Sequence, residues 1–408
     1  MNGAGKKVVV VTNSSSYEPR AEWVGELFKQ QGAQVLWVET DFIHREKVKK
    51  VRSAPDHMYI DTVPYRKNLS VRRLYSQYDF ARKAEKILEK EQADMVYMIL
   101  PANSLAAAGD RLKRKMNGAV LVFDILDLWP ESLGGKKFQK LWPFQCWRRL
   151  RDDHLKAADL VITECHYFQK FINAKQEKTA VVYWPKEVPE GWKMEAPENE
   201  APEKQVPVPE SQIAPGNADI NTPAVINFAY LGSINNIIDI DGIVNFLEIT
   251  GKLTPVFLHV VGDGENRGIF EEKLKSKGIK AEFYGAVYEE AVKAEIFSRC
   301  MFGINMMKPG VCVGLTMKSI DYFCYGLPLV NNIPGDTWEL VKQEQIGINY
   351  RPDAALKCAQ ELLALAQSDR LKEIKYRMQS LYMKLFTQEA AENVIRERVF
   401  PLLEGGPK

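Results

Sequence analysis

Lys7–Thr12 (KVVVVT), Gln34–Glu39 (QVLWVE), Met95–Leu100 (MVYMIL) and Val120–Leu126 (VLVFDIL) are apolar almost throughout, where a half-exposed strand would alternate apolar with polar residues. A strand apolar on both sides needs helices above and below it, which is the condition of a parallel sheet. Segments of helical period separate these runs: Ala21–Gln31, Val71–Glu91, Ser104–Lys115 and a basic stretch Lys136–Lys156. Met58–Tyr65, Leu160–Thr163 and Ala180–Tyr183 complete a set of strands. Residues 1–184 are expected to form one doubly wound α/β domain.

The alternation stops at Pro185 and restarts near residue 224. Residues 185–223 hold eight prolines and eight acids against three bases, with few large apolar side chains. Such a segment buries too little surface to offset its chain entropy and is expected to be a linker. Beyond it come strand patterns at Ile226–Leu231 (INFAYL), Val256–Val261 (VFLHVV), Ala281–Tyr284, Phe302–Met306 and Leu327–Asn331. Helical patterns lie at Ile238–Thr250, Ile269–Lys277, Ala291–Cys300 and Thr316–Tyr325, with three more over Pro352–Gln367, Asp369–Leu385 and Glu389–Phe400. A second parallel-sheet domain is expected over 224–385, with 386–408 a C-terminal helix able to pack back on the first domain. The 408 residues are enough for two such cores.

The net charge of +2 hides an asymmetry. Residues 1–184 carry 31 Lys+Arg against 22 Asp+Glu, a balance of +9, and the remainder balances at −7. The linker supplies −5 of that, which leaves a basic first domain, an acidic tether and a nearly neutral second domain. The six cysteines follow no metal or disulfide spacing, most sit in apolar runs, and they are expected to be buried free thiols in a reducing compartment. No stretch of about 18 apolar residues occurs, and no signal-peptide pattern precedes the first strand. A cytoplasmic protein, held at the inner face of the plasma membrane, is expected.

Two parallel sheets in series present the carboxyl ends of their strands to a cleft, where ligands meet helix N-termini. Gly232-Ser233 follows the first strand of the second domain and Gly262-Asp263-Gly264 the second; glycine there lets backbone approach an anion. The most informative segment is Val311–Pro328, VCVGLTMKSIDYFCYGLP. Gly314, Leu315 and Thr316 lead into a helix carrying Lys318 and Asp321, three apart on one face. An ammonium and a hydroxyl at a positive helix end suit a diphosphate, and the carboxylate suits sugar hydroxyls. The alternative for Lys318 and Asp321 is a surface ion pair.

This segment resembles the donor site of retaining glycosyltransferases with the glycosyltransferase B fold, family 4-like members of capsular and exopolysaccharide pathways in particular. The resemblance also takes in Ala229–Ser233, Val261–Gly264, Phe283–Val287 (FYGAV) and Asp127–Ser132 (DLWPES). It implies two Rossmann-like domains facing across a cleft and transfer from a nucleotide diphosphate sugar, UDP being expected. The acceptor would be a hydroxyl of a lipid-linked or growing surface polysaccharide. Gly232, Ser233, Gly262, Arg267, Ala286, Val287, Gly314, Leu315, Thr316, Lys318 and Asp321 would hold the donor; no metal and no further cofactor is implied. The pattern departs from the family at Val313, where an acid is usual, and at Leu126, where many relatives have His. An inactive partner subunit or a nucleotide-sugar epimerase on the same fold are the alternatives those departures raise. A nicotinamide dehydrogenase fits less well, because Val10–Ser16 lacks GxGxxG.

On the acceptor side, Asp127 and Glu131 follow a strand end and are candidates for binding an acceptor hydroxyl or stabilising an oxocarbenium-like transition state. Capping the next segment is the equal alternative for Asp127 and the expected role of Asp124. His259, inside an apolar strand, is expected to be a satisfied core residue, and His166 to follow a strand end. Lys136–Lys156 interleaves Trp142, Phe144 and Trp147 with Lys136, Lys137, Lys140, Arg148, Arg149 and Arg151, which suits contact with an anionic membrane; a core-packing helix with a solvated face is the alternative. No nucleic-acid motif accompanies those charges.

Overall fold

The computed structural model describes residues 5–116, 118–133, 139–194 and 225–405. Most of the expected linker, and residues 136–138 of the basic stretch, lie outside the described residues. The chain divides into two compact units, one made of Met1–Pro185, Gly310–Val313 and Gln388–Lys408, the other of Lys186–Pro309 and Gly314–Thr387.

The first unit is built on a seven-stranded parallel sheet in the order β5-β2-β1-β6-β7-β8-β9. These strands are β1 (Lys7–Thr12), β2 (Gln34–Thr40), β5 (His57–Ile60), β6 (Met95–Leu100), β7 (Val120–Ile125), β8 (Leu160–Thr163) and β9 (Thr179–Val181). A small antiparallel ladder, β3 (Phe42–Ile43) with β4 (Val48–Lys49), follows β2. Every residue of β6 and β7 is buried, as the unbroken apolar runs require. Among the described residues five α-helices accompany the sheet: α1 (Glu18–Gln30), α2 (Val71–Glu91), α3 (Asn103–Lys115), α4 (Trp142–Asp152) and the short α5 (His166–Gln169). A Cβ on Gly25 of α1 would fall 2.3 Å from the Trp37 ring, so the absent side chain is what lets that indole lie against the helix. The Trp37 Nε1–H then donates to the Ala21 carbonyl at 2.9 Å.

The second unit has a six-stranded parallel sheet in the order β12-β11-β10-β13-β14-β15. Its strands are β10 (Ile226–Leu231), β11 (Val256–Val261), β12 (Lys280–Gly285), β13 (Phe302–Asn305), β14 (Leu329–Asn331) and β15 (Gly347–Asn349). Its helices are α6 (Ile240–Gly251), α7 (Arg267–Ser276), α8 (Glu290–Ser298), α9 (Met317–Cys324), α10 (Asp336–Glu344), α11 (Ala355–Ala366) and α12 (Arg370–Leu385). The final helices α13 (Gln388–Arg398) and α14 (Phe400–Gly405) return to the first unit. There Ala391, Ile395, Val399, Phe400 and Leu403 join the cluster of Val8, Leu27, Phe28 and Trp37, with the Phe28 and Phe400 rings 5.3 Å apart.

Four expectations need correction. The strand expected over Met58–Tyr65 ends at Ile60, because Asp61 to Tyr65 leave the sheet edge toward α2. The described helix in the basic stretch is limited to Trp142–Asp152, with Pro143 in its first turn. Residues 336–349 form α10 and β15, which sequence periodicity did not indicate. Cys146 is exposed, while the other five cysteines are buried free thiols.

Candidate functional site

In the second unit the turns after β10 and β11 press together. The Gly232 N–H donates to the Val261 carbonyl at 2.9 Å, and Ile234 N–H to the Asp263 carbonyl at 2.9 Å. A Cβ on Gly262 would lie 2.0 Å from the Gly232 carbonyl oxygen, so only glycine fits there. Gly232 itself has φ +116, and a Cβ built on it would meet no atom within 4 Å. The turn is therefore tight on one side and open on the other, a geometry that lets a ligand approach the backbone.

Helix α9 is fixed by a reciprocal cap. The Thr316 Oγ1 accepts from Ser319 N–H at 3.2 Å, and the Ser319 Oγ accepts from Thr316 N–H at 3.3 Å. The Thr316 hydroxyl also donates to the Asn305 Oδ1 at 3.0 Å, and the Asn305 amide reaches Asn331, tying the cap to the ends of β13 and β14. The Gly314 carbonyl accepts from both the N–H and the hydroxyl of Thr337.

Lys318 is the outlier of this region. It is 7 % exposed, yet its Nζ has no hydrogen-bond partner among the described residues. The ammonium sits 4.5 Å over the Tyr230 ring, whose hydroxyl donates to the Ser233 carbonyl at 3.0 Å. Lys318 thus lies against the face of Tyr230, the last but one residue of β10. Burial pushes the Lys318 pKa down to about 7. Asp321 does not pair with it: its carboxylate takes Lys186, and Lys293 stands 3.8 Å away. Lys293 in turn holds Glu290 at 2.5 Å.

Of the other expected donor residues, Arg267 is bound to Glu271 at 2.7 Å and lies near Asp263 at 3.8 Å, with its guanidinium over the Phe283 ring. Ala286 is exposed and Val287 half-buried just beyond β12, after Gly285 at φ +72. Leu315 is half-buried beside the cap. His259 is buried and bonded to the Tyr284 hydroxyl at 2.7 Å.

In the first unit Asp127 accepts from the Trp129 Nε1–H and the Ser132 hydroxyl, each at 2.6 Å. Burial nevertheless holds its pKa above the usual carboxylate value. Glu131 is buried, and both its oxygens are taken by Arg151, at 2.9 and 3.1 Å. Asp124 is not a cap: it is fully buried between Arg20, at 2.9 Å, and the Tyr97 hydroxyl, at 2.6 Å, and neutralises a guanidinium inside the sheet's helical cover. Sequence reasoning missed Glu164, the residue directly after β8. Burial, followed by the Asp127 charge, pushes its pKa up to about 8. The signal available was an acid ending an apolar strand. Lys186 and Lys293 were missed as well, since nothing in their local sequence points to Asp321.

Among the described residues no helix is long and apolar enough to cross a membrane. No family model and no curated protein matches the chain. Solved structures do. The apo form of the lipopolysaccharide outer core galactosyltransferase WaaB aligns with 97 % of this chain and 99 % of its own, at 14 % identity and a TM-score of 0.65. HepE of Anabaena, solved with UDP, covers 97 % and 100 % at 12 % identity and 0.64. WaaG, a glycosyltransferase involved in lipopolysaccharide biosynthesis, covers 98 % and 100 % at 12 % identity and 0.58. At these identities the likeness is one of architecture: the chain has two parallel-sheet α/β units of the glycosyltransferase B fold.

Proposed function

We propose that the chain transfers a sugar, with retention of configuration, from a UDP-sugar to a hydroxyl of a lipid-linked glycan. The observation that carries this reading is Lys318, a buried ammonium without an acceptor among the described residues, lying over the ring of Tyr230 two residues before the Gly232 turn. An unpaired buried charge is costly, and a diphosphate supplies the missing counter-charge. The Ser233 N–H, reached past the bare Cα of Gly232, and the N-terminal turn of α9 would share the phosphates. Asp321, held by Lys186, would receive sugar or ribose hydroxyls. The diphosphate's negative charge is met by protein groups alone in this scheme, so no metal is invoked.

On the acceptor side Asp127 is the better placed of the two carboxylates, because Arg151 occupies both oxygens of Glu131. The leaving phosphate would take the acceptor proton, which leaves no task for a histidine at Leu126. The exposed Leu141, Trp142 and Leu150 of the α4 region, beside Arg148 and Arg149, would rest on an anionic membrane where lipid-linked acceptors reside.

Calorimetric titration with UDP and a panel of UDP-sugars tests the donor assignment. Lys318→Met and Asp321→Ala should each weaken binding about tenfold or more while leaving the circular dichroism unchanged. Affinity unaltered by both substitutions would overturn the donor site. Release of free sugar from UDP-sugar without acceptor, and transfer when an acceptor is added, would separate this reading from a catalytically silent scaffold.

A further inference from the structure

A second group of cations lies in the first unit, far in sequence from α9. It gathers around Tyr65, just before α2. The His44 Nδ1 is 2.7 Å from the Tyr65 hydroxyl, and the Lys47 Nζ is 3.3 Å from that same Nδ1. Lys47 also donates to the Asn68 Oδ1 at 2.5 Å and lies 5.1 Å over the Tyr65 ring. Arg73, in the first turn of α2, places its guanidinium 5.6 Å over the Tyr65 ring and 4.1 Å over that of Trp129. Its Nη1 donates to the Asn68 carbonyl at 2.8 Å, but its Nε, in a residue 8 % exposed, finds no acceptor among the described residues.

Among the described residues no carboxylate comes within ion-pair distance of Lys47 or Arg73. The acid that acts on Arg73 through space is Asp127, and its oxygens already serve Trp129 and Ser132. The remaining charged neighbour of His44 is Arg45, another cation. Burial depresses the pKa values of Lys47 and Arg73, and burial together with Arg73, Lys47 and Arg45 pushes His44 down to about 4. Lys47 also holds a left-handed φ of 60°, a conformation that costs a non-glycine residue about 1 kcal/mol or more and collects at binding sites. Ser70 caps α2 by accepting from the Arg73 N–H, and its first turn contains no acid to offset the helix dipole.

We propose that Lys47, Arg73, His44 and Tyr65 form an anion-binding site for a phosphate or diphosphate ester. Lys47 and the free Arg73 Nε–H would meet the phosphate charge, and Tyr65 and neutral His44 would complete the hydrogen bonds. The surface beside it favours an ester carrying an alkyl chain. Leu69, Val71 and Leu74 stand exposed on either side of Arg73, at 59, 83 and 37 %, and the exposed charges from Arg66 to Lys86 are all positive. If the glycosyl-transfer reading holds, this site gives the first unit its grip on an acceptor through that acceptor's phosphate.

The test uses the full chain carrying Lys318→Met, in which the donor site is weakened, so that a loss caused by a further substitution in the first unit reports on the first unit. Inorganic pyrophosphate and farnesyl diphosphate are titrated by calorimetry into this parent and into Lys47→Met and Arg73→Met made on it. Pyrophosphate should bind, and each substitution should weaken it tenfold or more. Farnesyl diphosphate binding at least tenfold tighter than pyrophosphate identifies a lipid ester, whereas equal affinities keep the anion site and overturn the lipid source. If neither probe binds, or if Lys47→Met binds like its parent, the site is overturned. Should Arg73→Met fail to fold, Lys47→Met, a half-exposed position, decides alone. UDP binding by the unmodified chain reports separately on the donor reading, so either idea can fail without the other.

Discussion

A lysine that loses its proton easily announces the ligand that would restore it. Folding lowers the Lys318 pKa from its ordinary 10.5 to about 7. The unfolded chain therefore binds more protons between those values, and this group makes stability rise as pH goes from about 7 to 10.5. A bound diphosphate favours the charged form, so UDP binding at pH 8 should take up about one proton. Calorimetry in buffers of different ionisation enthalpy measures that uptake; no buffer dependence, or the same dependence in Lys318→Met, would count against the role. Glu164 works in the opposite sense. Its folded pKa of about 8 against an ordinary 4.5 means the native state holds the extra proton, so stability falls as pH rises from about 4.5 to 8. Glu164 keeps part of its surface accessible, which favours a modest effect. Glu164→Gln should gain about 1–2 kcal/mol on the wild type in urea denaturation at pH 8.5 and little at pH 5. Parallel pH profiles for the two proteins would refute this. At this scale the sequence was only partly legible. A Lys-x-x-Asp spacing says that two side chains share a helix face. It does not say that Tyr230 claims one and Lys186, 135 positions earlier in the chain, the other.

The elements were easier to read, because the buried strands are written as unbroken apolar runs: β1, β6, β10 and β11 have the boundaries that hydrophobicity alone suggests. Where the run is only three residues, as in Gly347–Asn349, or the helix only nine, as in Asp336–Glu344, too few periods exist to separate signal from chance. Turns were legible as glycines but not as contacts. Gly262→Ala should cost about 3 kcal/mol, since its Cβ collides with backbone and not with a yielding side chain. Thr316→Ala should cost about 1 kcal/mol by removing the α9 cap, and should weaken UDP binding as the helix end loosens. Urea denaturation distinguishes these two magnitudes; a Gly262→Ala protein as stable as wild type would show that the two turns separate freely.

For the molecule as a whole, two cores imply two partly independent unfolding events. Ile395, fully buried in the first core, contributes to a unit whose other residues come almost entirely from the opening of the chain. Ile395→Ala should destabilise that unit by about 2–4 kcal/mol and lower its calorimetric transition, whereas Phe246→Ala should lower the transition of the second unit. A single transition shifted alike by both would show one cooperative body. The doubly wound class of each unit could be read from strand and helix alternation. The return of α13 and α14 to the first sheet could be anticipated only as a possibility, because an amphipathic helix does not specify its partner.

That return has a consequence for synthesis on the ribosome. The first sheet is complete once Val181 has emerged, but one side of its core keeps Leu27 and Phe28 short of their partners until Phe400 and Leu403 are made. More than 200 residues must be translated in between, at roughly 5–20 residues per second. For ten seconds or more the nascent chain presents an apolar surface that a chaperone can hold. A premature stop near residue 388 would leave that surface bare for good.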